Sequence, residues 1–520
     1  MNNKNNPFAV EMKEINKAFG QITANKSISF DVKFGEIHVL AGMNGSGKTT
    51  LISILYGLHK ADSGKIFLSG EEVKINSPID AKNKGIGIIQ QHFSLIEKFS
   101  ALENVVLGNE NCKLFDKIDY DKTREKFLEI SKLFHLSLDP DQIIGKSSVS
   151  FQQRLELLKV LYCDYKIIIF DEPTAVLTSL EVKHFFKILK KLRDFGKAII
   201  FITHKVSEIK MITDRLTVLK KGKKIGTYTL HEKNEDEISE MIVGKKEIKQ
   251  IERVEIKKNT SQKPLLKIKN LSFQKQDSVI SVNNLSLSVY PGEIVTICGV
   301  DNNGQNELAF LISGLLKATS GKIYLNNFLI NDLSTKLRYQ MGISFLPEDR
   351  FRYAIIPEEK VSDNCVLRVI EDEPLSFRKV LIDEKEIKNF TNQIIDDFKI
   401  LGCEQKGKTI INSLSGGNQQ KLVLARELVR RNYKLFVALE PTRGLDVLNT
   451  VSVYNMLLAE KKVKKAILLF IFDVKEAMRV SDRIFVMRKG KLVREFSKKE
   501  FDKHEIEKTM LIKNSNSSFV

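Results

Sequence analysis

A glycine-rich segment, GMNGSGKT, occupies residues 42–49 and has the spacing of a phosphate-binding loop. It follows the apolar segment IHVLA and precedes TLISILYG, so we expect a loop between a strand and a helix. Glycines let backbone N–H groups converge on phosphate oxygens, and the N-terminus of the following helix adds a favourable dipole. The pattern assigns Lys48 to the β- and γ-phosphates of a nucleotide and the hydroxyl of Thr49 to Mg²⁺.

Two adjacent carboxylates end a second apolar segment, IIIFDEP, which begins at Ile167. Asp171 stands where a Mg²⁺ shell needs an acceptor, and Glu172 stands where an attacking water needs a base. The alternative is a buried strand that simply ends in a solvated acidic turn. The phosphate loop upstream favours the chemical interpretation.

The sequence contains an internal duplication. The segment KADSGKIFLSG, from Lys60, recurs as KATSGKIYLNN, from Lys317, at an offset of 257 residues. Later, TDRL from Thr213 recurs as SDRI from Ser481 at an offset of 268, so the second copy carries a modest insertion in its middle. Solid apolar strands that alternate with helices predict, in each copy, a mostly parallel sheet covered on both faces. We expect domains at residues 1–245 and 264–512, a charged linker at 246–263 and a disordered polar tail at 513–520.

Composition limits the class of protein. The 520 residues are 42% hydrophobic and 28% charged, which is typical of a globular chain with room for more than one domain. No apolar run approaches the roughly 18 residues of a spanning helix, and the start, MNNKNN, lacks the apolar segment of a secretory signal, so we expect a cytoplasmic protein. The five cysteines include no C-x-x-C pair, which argues against a zinc site. The net charge of +18 leaves open a lysine-rich solvated surface, a nucleic-acid partner or an anionic membrane.

A third motif connects these features to a known family. The segment LSGGNQQK, from Leu414, resembles the signature loop of the nucleotide-binding subunits of ABC transporters, and the resemblance runs from about Phe8 to about Arg494. It implies an α/β protein of two tandem ABC-type P-loop NTPase domains. Each would have a mostly parallel sheet core, an antiparallel β subdomain and a helical subdomain, and the implied cofactors are ATP and Mg²⁺.

The resemblance also implies roles for single residues. It places Gln91, in IIQQHF, on Mg²⁺ and the attacking water, His204, in FITHK, on the γ-phosphate, and Phe19, in KAFG, against the adenine ring. The implied catalytic residues are therefore Glu172, His204 and Gln91, and the implied metal ligands are Thr49, Gln91 and Asp171. The implied nucleotide-binding residues are Phe19, Gly42, Met43, Asn44, Gly45, Ser46, Gly47, Lys48, Thr49, Thr50, Ser415, Gly416, Gly417 and Asn418.

Each copy departs from the family pattern in a different part. Copy one has SSVSF, from Ser147, where copy two has LSGGN, so Cβ atoms replace glycines in its signature loop. Copy two keeps Glu440 but has lost the other catalytic types, with replacements at Gln305 for lysine, Asn306 for the hydroxyl residue, Glu348 for the glutamine, Leu439 for the aspartate and Phe472 for the histidine.

In this family two such domains pair head to tail, and each ATP lies between the phosphate loop of one and the signature loop of the other. One composite site would combine the intact loop at residues 42–50 with Ser415–Asn418, and the other would be impaired in nearly every part. We therefore expect hydrolysis at Lys48 and Glu172 and negligible hydrolysis at the second site.

Fused twin ATPases with a degenerate second half resemble importers for monosaccharides and nucleosides. Segments such as GVDNNGQNEL, from Gly299, look more like the nucleoside branch, with a ribose- or galactose-type importer as the alternative. The implied partners are transmembrane permease subunits and, indirectly, an extracytoplasmic substrate-binding lipoprotein, with no nucleic acid, so the chain would be peripheral on the cytoplasmic face of the cell membrane. Permease contacts are expected from His92 to Phe99 and from Asp349 to Ile356. A less favoured alternative is a soluble twin ATPase that acts on ribosomes or DNA.

Overall fold

The chain forms two compact units, Met1–Ile248 and Lys249–Val520, called here the first and the second unit. The computed structural model describes residues 7–20, 22–90, 94–108, 119–147, 149–174, 179–229, 235–243, 263–274, 281–300, 303–371, 373–378, 381–403, 405–430 and 432–511. The expected tail at 513–520 and all of the expected linker except Lys263 lie outside these ranges. The domain bounds given above therefore stay predictions.

The first unit alternates strands and helices after an initial pair of long strands. Its strands are β1 (Phe8–Phe19), β2 (Ile22–Lys33), β3 (Glu36–Gly42), β4 (Ser63–Leu68), β5 (Glu71–Val73), β6 (Ile86–Ile89), β7 (Ile167–Asp171), β8 (Ala198–Ile202), β9 (Arg215–Lys220) and β10 (Lys223–Thr229). Its helices are α1 (Lys48–Leu55), α2 (Pro78–Asn83), α3 (Ala101–Val106), α4 (Tyr120–Leu133), α5 (Val149–Tyr162), α6 (Ser179–Asp194), α7 (Val206–Ile212) and α8 (Glu235–Val243).

The second unit repeats this order and adds a short hairpin. Its strands are β11 (Leu266–Phe273), β12 (Val282–Val289), β13 (Ile294–Cys298), β14 (Ser320–Leu325), β15 (Phe328–Leu329), β16 (Ile343–Leu346), β17 (Ser376–Phe377), β18 (Leu381–Ile382), β19 (Leu435–Leu439), β20 (Ala466–Phe470), β21 (Arg483–Arg488) and β22 (Lys491–Ser497). Its helices are α9 (Gln305–Ser313), α10 (Thr335–Gln340), α11 (Arg350–Tyr353), α12 (Val361–Val366), α13 (Glu384–Asp397), α14 (Gly416–Leu428), α15 (Val447–Lys462), α16 (Val474–Val480) and α17 (Lys503–Leu511).

Each unit contains a four-stranded antiparallel sheet and a six-stranded, mostly parallel sheet, and the second unit also has the two-stranded antiparallel sheet β17-β18. The four-stranded sheets have the orders β2-β1-β4-β5 and β12-β11-β14-β15. The larger sheets have the orders β10-β9-β3-β8-β7-β6 and β22-β21-β13-β20-β19-β16, which are the same topology, and in both only the hairpin at one edge is antiparallel. Strands β3, β7 and β8 are buried along their whole length, as expected for a sheet covered on both faces. The predicted α/β class and the two ABC-type domains are confirmed.

The extra residues of the second unit are spread through its helical region. Asn104 and Asn364 make matching hydrogen bonds to the carbonyls four and eight residues before them, and they are 260 positions apart. The N-cap residues Asp119 of α4 and Asp383 of α13 are 264 apart. The offset reaches 268 at β7 and β19, so the expected insertion consists of several short additions between the phosphate loop and the second carboxylate motif.

The parallel sheet determines where chemistry can occur. The segments that follow β3, β6, β7 and β8 all leave the carboxyl edge of one sheet, and these four strands are neighbours in it. Ligands of open α/β sheets bind at this edge. Among the helices of the described ranges, none combines the length and the apolar character that a membrane crossing requires.

Candidate active site

The phosphate loop of the first unit connects β3 to α1 and is held by its own side chains. Gly47 has a φ of 96°, and a Cβ there would lie 2.3 Å from the carbonyl oxygen of Ala24, so only glycine fits. The Nζ of Lys48 donates to the carbonyl oxygens of Gly42, at 2.8 Å, and Met43, at 3.0 Å. The buried amine therefore closes the loop.

The interior of this loop suits a phosphate group. The buried hydroxyl of Ser46 has no hydrogen-bond partner among the described residues. Gly45, with a φ of 75°, has no atom within 4 Å of the place where a Cβ would lie. Since an unsatisfied buried donor costs about 1–3 kcal/mol, an anion that accepts from it would be stabilised.

The two carboxylates and the histidine meet at the adjacent strand ends. Asp171 ends β7, and the N–H of the next residue, Glu172, donates to the carbonyl of Ile202 at the end of β8, at 3.0 Å. Glu172 has a φ of 49°, a conformation that is uncommon for a residue with a side chain. The Nδ1 of His204 lies 2.8 Å from Oε1 of Glu172. The structure thus brings together three predicted site residues from two strands.

The two carboxyl groups have opposite pKa shifts. Burial, together with the neighbouring charge of Glu172, raises the pKa of Asp171 to about 6, and Lys48 offsets only part of this. Burial also raises the pKa of Glu172, but the charge and hydrogen bond of His204, together with the charges of Lys48 and Lys205, outweigh it, so that this pKa is lowered. Glu172 is therefore ionised at neutral pH and able to accept a proton. A divalent cation beside Asp171 would relieve the repulsion between the two carboxylates. The donor set of Asp171 and the hydroxyl of Thr49 fits Mg²⁺.

A buried carboxylate that sequence reasoning missed positions His204. Glu208 accepts from the hydroxyls of Thr174, at 2.6 Å, and Thr203, at 2.7 Å. It also pairs with Lys205 at 3.1 Å. Glu208 therefore joins the loop after β7 to the loop after β8, on either side of the Glu172–His204 contact. The available signal was its recurrence as Glu476 in the second copy, at the offset of 268.

The structure also describes Phe19 and Thr50, two further predicted residues of the first unit. Phe19 ends β1 and is 44% exposed, with its ring 5.2 Å from that of His59 in an edge-on contact. An exposed aromatic ring at this place remains a candidate for adenine stacking. Thr50 lies in the first turn of α1. Gln91 lies outside the described residues.

The predicted signature residues begin helix α14 of the second unit. Ser415 is its N-cap, Gly416, Gly417 and Asn418 form its first turn, and Asn418 donates to the hydroxyl of Ser415 at 3.0 Å. Arg350 lies beneath this turn, because a Cβ added at Gly416 would be 2.8 Å from its guanidinium. In the first unit the helix α5 begins at Val149, so the degenerate segment still starts a helix.

Glu440, which corresponds to Glu172 in the second unit, has the same backbone conformation but an uncharged carboxyl group. Glu440 has a φ of 45°, and its N–H donates to the carbonyl of Phe470 at 2.9 Å. Within the part of the chain that the structure describes, its Oε1 accepts one hydrogen bond, from the backbone N–H of Phe472 at 2.5 Å. Burial and the nearby charge of Glu476 raise the pKa of Glu440 to about 8, so this carboxyl is neutral at neutral pH. It cannot act as the base that Glu172 can be.

Comparisons with known proteins agree with this geometry. The family model described as ABC transporter matches residues 25–175 and 282–443. The chain is 38% identical over 488 residues to the nucleoside import ATP-binding protein NupA of Lactococcus lactis, covering 94% of this chain and 95% of that protein. It is 39% identical over 499 residues to the guanosine import ATP-binding protein NupO of Bacillus subtilis, covering 96% of each. It is 35% identical over 505 residues to the ribose import ATP-binding protein RbsA of Clostridium tetani, covering 96% of this chain and 97% of that protein.

A solved structure shares the tandem fold. The archaeal ribosome recycling factor aABCE1, in complex with the ribosomal stalk protein aP1, has a TM-score of 0.60 and 18% identity. The match covers 93% of this chain and 90% of that chain. At this identity the likeness supports the fold alone.

The pKa of Glu440 is raised and that of Glu172 is lowered, so replacing each glutamate by glutamine should change the stability of the fold in opposite directions. The folded chain keeps Glu440 protonated up to about pH 8, whereas the unfolded chain ionises it above 4.5, so stability falls as pH rises through this window. We expect Glu440→Gln to raise the thermal midpoint relative to the wild type, by an amount that grows between about pH 5 and 8. Glu172→Gln should lower the midpoint without this slope, since ionisation of Glu172 is already favoured above 4.5. Thermal melts at several pH values check both, and a flat or negative difference for Glu440→Gln would contradict the assignment.

The contacts of Glu208 predict that its substitution lowers ATP turnover, whereas the same substitution at Glu476, its counterpart in the second unit, does not. Glu208→Gln replaces one of the two acceptor oxygens by an amide nitrogen, so one threonine hydroxyl loses its acceptor, and it removes the charge that pairs with Lys205. We therefore expect kcat to fall by about tenfold or more. The matched control, Glu476→Gln, should leave kcat within about twofold. If His204 is displaced, the pKa of Glu172 rises, and the acid limb of the kcat profile should move to higher pH. Equal losses in both variants, or an unmoved acid limb, would assign Glu208 a purely structural role.

Proposed function

This chain belongs to the ABC transporter ATP-binding family, and we propose that it is the ATP-hydrolysing subunit of an importer for nucleosides. ATP binding and the coupling of hydrolysis to transport are properties of the family. The observation that carries the proposal is the 2.8 Å contact between Glu172 and His204 at the edge of the sheet that holds the phosphate loop. It supports one catalytic site in the first unit.

The chemistry at this site follows from the charges of its residues. Lys48 neutralises developing charge on the β- and γ-phosphates, and the ionised Glu172 accepts a proton from the attacking water. His204 holds Glu172 ionised and presents its other nitrogen to the phosphate. Thr49, Asp171 and Gln91 would hold Mg²⁺, which would supply further charge neutralisation.

The signature turn of the second unit completes this proposed site. The N–H groups of Gly416 and Gly417 lie at the start of a helix, where an anion is favoured. In the proposed cycle, Ser415–Asn418 close over the nucleotide on the first unit's loop. Binding energy from this closure would then drive the permease subunits.

Nucleosides are the proposed cargo because the sequence details and the near full-length likeness to two nucleoside-type proteins agree. A ribose- or galactose-type importer is the alternative, supported by the 35% identity to a ribose import protein. The cargo would contact permease subunits and an extracytoplasmic substrate-binding lipoprotein, while this chain stays peripheral on the cytoplasmic face of the membrane. Action on ribosomes or DNA is disfavoured because the one ribosomal likeness given above extends only to the fold.

Exposed apolar side chains support the proposed permease contact of the second unit. Within the stretch Asp349–Ile356, Phe351 is 39% exposed, and Tyr353 and Ile356 are each 43% exposed. Arg350, in the same stretch, donates to Gln419 of the signature helix at 2.9 Å. A permease helix that moves this stretch would therefore move the signature turn. In the first unit, His92 and Phe93 lie outside the described residues.

Uptake and hydrolysis can be measured together in cells that lack the chromosomal copy. We expect the wild-type chain to restore uptake of a labelled nucleoside, with no competition from ribose. Lys48→Ala should abolish uptake and ATPase activity, and Glu172→Gln should trap ATP with kcat reduced by about 10²–10⁴. Glu440→Gln, the matched change in the second unit, should leave both activities close to wild type. Uptake of ribose alone would transfer the proposal to the sugar alternative, and inactivity of only Glu440→Gln would refute the catalytic assignment.

The exposed apolar side chains within Asp349–Ile356 predict how substitution affects binding to the permease. Replacing Phe351, Tyr353 and Ile356 together by serine should abolish co-purification with the membrane permease while ATP binding persists, because these side chains would provide the apolar contact area. A matched control replaces the apolar hairpin residues Phe377, Leu381 and Ile382, which are 60%, 66% and 56% exposed. Loss of the complex in the control variant, or its survival in the first variant, would count against the assigned surface.

A further inference from the structure

The phosphate loop of the second unit is closed by a neutral side chain. Gln305, in the place of Lys48, donates through Nε2 to the carbonyl of Val300 at 3.1 Å. Its Oε1 accepts the backbone N–H of Asn303 at 3.1 Å. A Cβ at Gly299 would lie 2.4 Å from Nε2 of Gln305, so this side chain folds back on the start of the loop. A loop N–H that could face an anion is thus already bonded within the chain.

The positions that would hold a metal in the second unit offer a poor donor set. Asn306, in the place of Thr49, turns its amide nitrogen to Oε2 of Glu348, at 3.2 Å. Leu439, in the place of Asp171, is a buried apolar residue. Mg²⁺ requires oxygen ligands, usually including one or two carboxylates. Here an amide donor and a leucine stand where two of the oxygens would be, so the residues present do not fit the metal.

The one acidic side chain among these positions is already paired with a cation. Oε1 of Glu348 forms an ion pair with the guanidinium of Arg443, while Oε2 accepts from Asn306. Both carboxylate oxygens are therefore used by donors of the same unit. A metal ion would have to displace the guanidinium, whose positive charge is always present.

Arg443 comes from the strand end that has lost its aspartate. It lies four residues after Leu439, in the turn that follows β19, and its N–H donates to the carbonyl of Glu440 at 3.1 Å. At this edge the first unit has Asp171 beside Glu172, with the charge of Lys48 acting on both, whereas the second has Glu348 paired with Arg443. The charge that a divalent cation would balance in the first unit is balanced internally in the second.

We propose that Arg443 is a resident cation that stands in for the divalent metal in the second unit, so that this unit binds no Mg²⁺ at its phosphate loop. The proposal rests on the proposed function for the location of the metal in the first unit. The contacts of Asn306, Glu348 and Arg443 then stabilise the strand edge, in addition to removing the metal ligands. The second unit holds its strand edge in one arrangement whether or not metal and nucleotide are present.

Manganese counting tests this proposal on the full chain. With a non-hydrolysable ATP analogue, Mn²⁺ retained per chain can be quantified by electron paramagnetic resonance, which does not depend on activity. We expect one nucleotide-dependent Mn²⁺ in the wild type and none in Asp171→Asn. Two in the wild type, or one retained in Asp171→Asn, would overturn the proposal. None in the wild type would support the metal-free second unit while contradicting the proposed catalytic site of the first.

A gain of metal binding tests the role of Arg443 itself. The double variant Leu439→Asp, Arg443→Ala restores the acidic residue and removes the guanidinium, so we expect the count to rise from one to two. Leu439→Asp alone keeps the resident cation and should stay at one. A double variant that stays at one would show that Arg443 does not exclude the metal. Thermal melts confirm that each variant is folded, and the wild-type and Asp171→Asn counts remain decisive if the double variant is not.

Discussion

One backbone hydrogen bond between neighbouring strand ends determines the geometry of both strand edges. The N–H of Glu172 donates to Ile202 at 3.0 Å, and that of Glu440 donates to Phe470 at 2.9 Å. Each bond extends the parallel pairing by one residue and leaves the glutamate with a positive φ, at a cost of about 1–3 kcal/mol. In both units, the hydrogen bonds and packing of the surrounding sheet offset this conformational strain. Because the same strained residue persists where the chemistry is lost, it belongs to the fold as much as to catalysis.

The two units show how one scaffold can keep its shape and change its electrostatics. Among the described residues, Glu172 has an imidazole nitrogen 2.8 Å away, whereas Glu440 accepts a backbone N–H. Burial and the charge of Glu476 raise the pKa of Glu440 to about 8, whereas the pKa of Glu172 is lowered because the charge and hydrogen bond of His204, with the charges of Lys48 and Lys205, outweigh its burial. Gln305 likewise keeps the loop-closing bond of Lys48 without its charge. Gln305 thus preserves a hydrogen bond and removes a charge that a phosphate needs, whereas Leu439 removes a carboxylate that a metal needs.

The fold class and most residues of the candidate site could be predicted from the sequence because the motifs that indicate them are short and continuous. The loop at residues 42–49, the carboxylates after IIIF and the constant offsets between copies predicted the two α/β domains and the catalytic edge. Glu208 and Arg443 were missed because their roles arise from pairings between distant segments. Glu208 bonds a hydroxyl 34 residues away, and Arg443 pairs with a carboxylate 95 residues away. No local spacing encodes such contacts, although the recurrence of Glu208 as Glu476 was a usable signal.

In the second unit, the residues that replace the metal ligands connect the strand edge to the signature helix. Glu348 is fixed by Arg443 and Asn306, and two residues later Arg350 bonds Gln419 in the helix that begins with the signature turn. The stretch proposed to meet the permease is thus tied at one end to the strand edge and at the other to the signature helix. If Glu348 had to bind and release a metal in each cycle, this connection would loosen whenever nucleotide left. If Arg443 stands in for the metal, its guanidinium keeps this connection stiff throughout the proposed cycle, so that movement of the stretch from Asp349 to Ile356 reaches the signature turn.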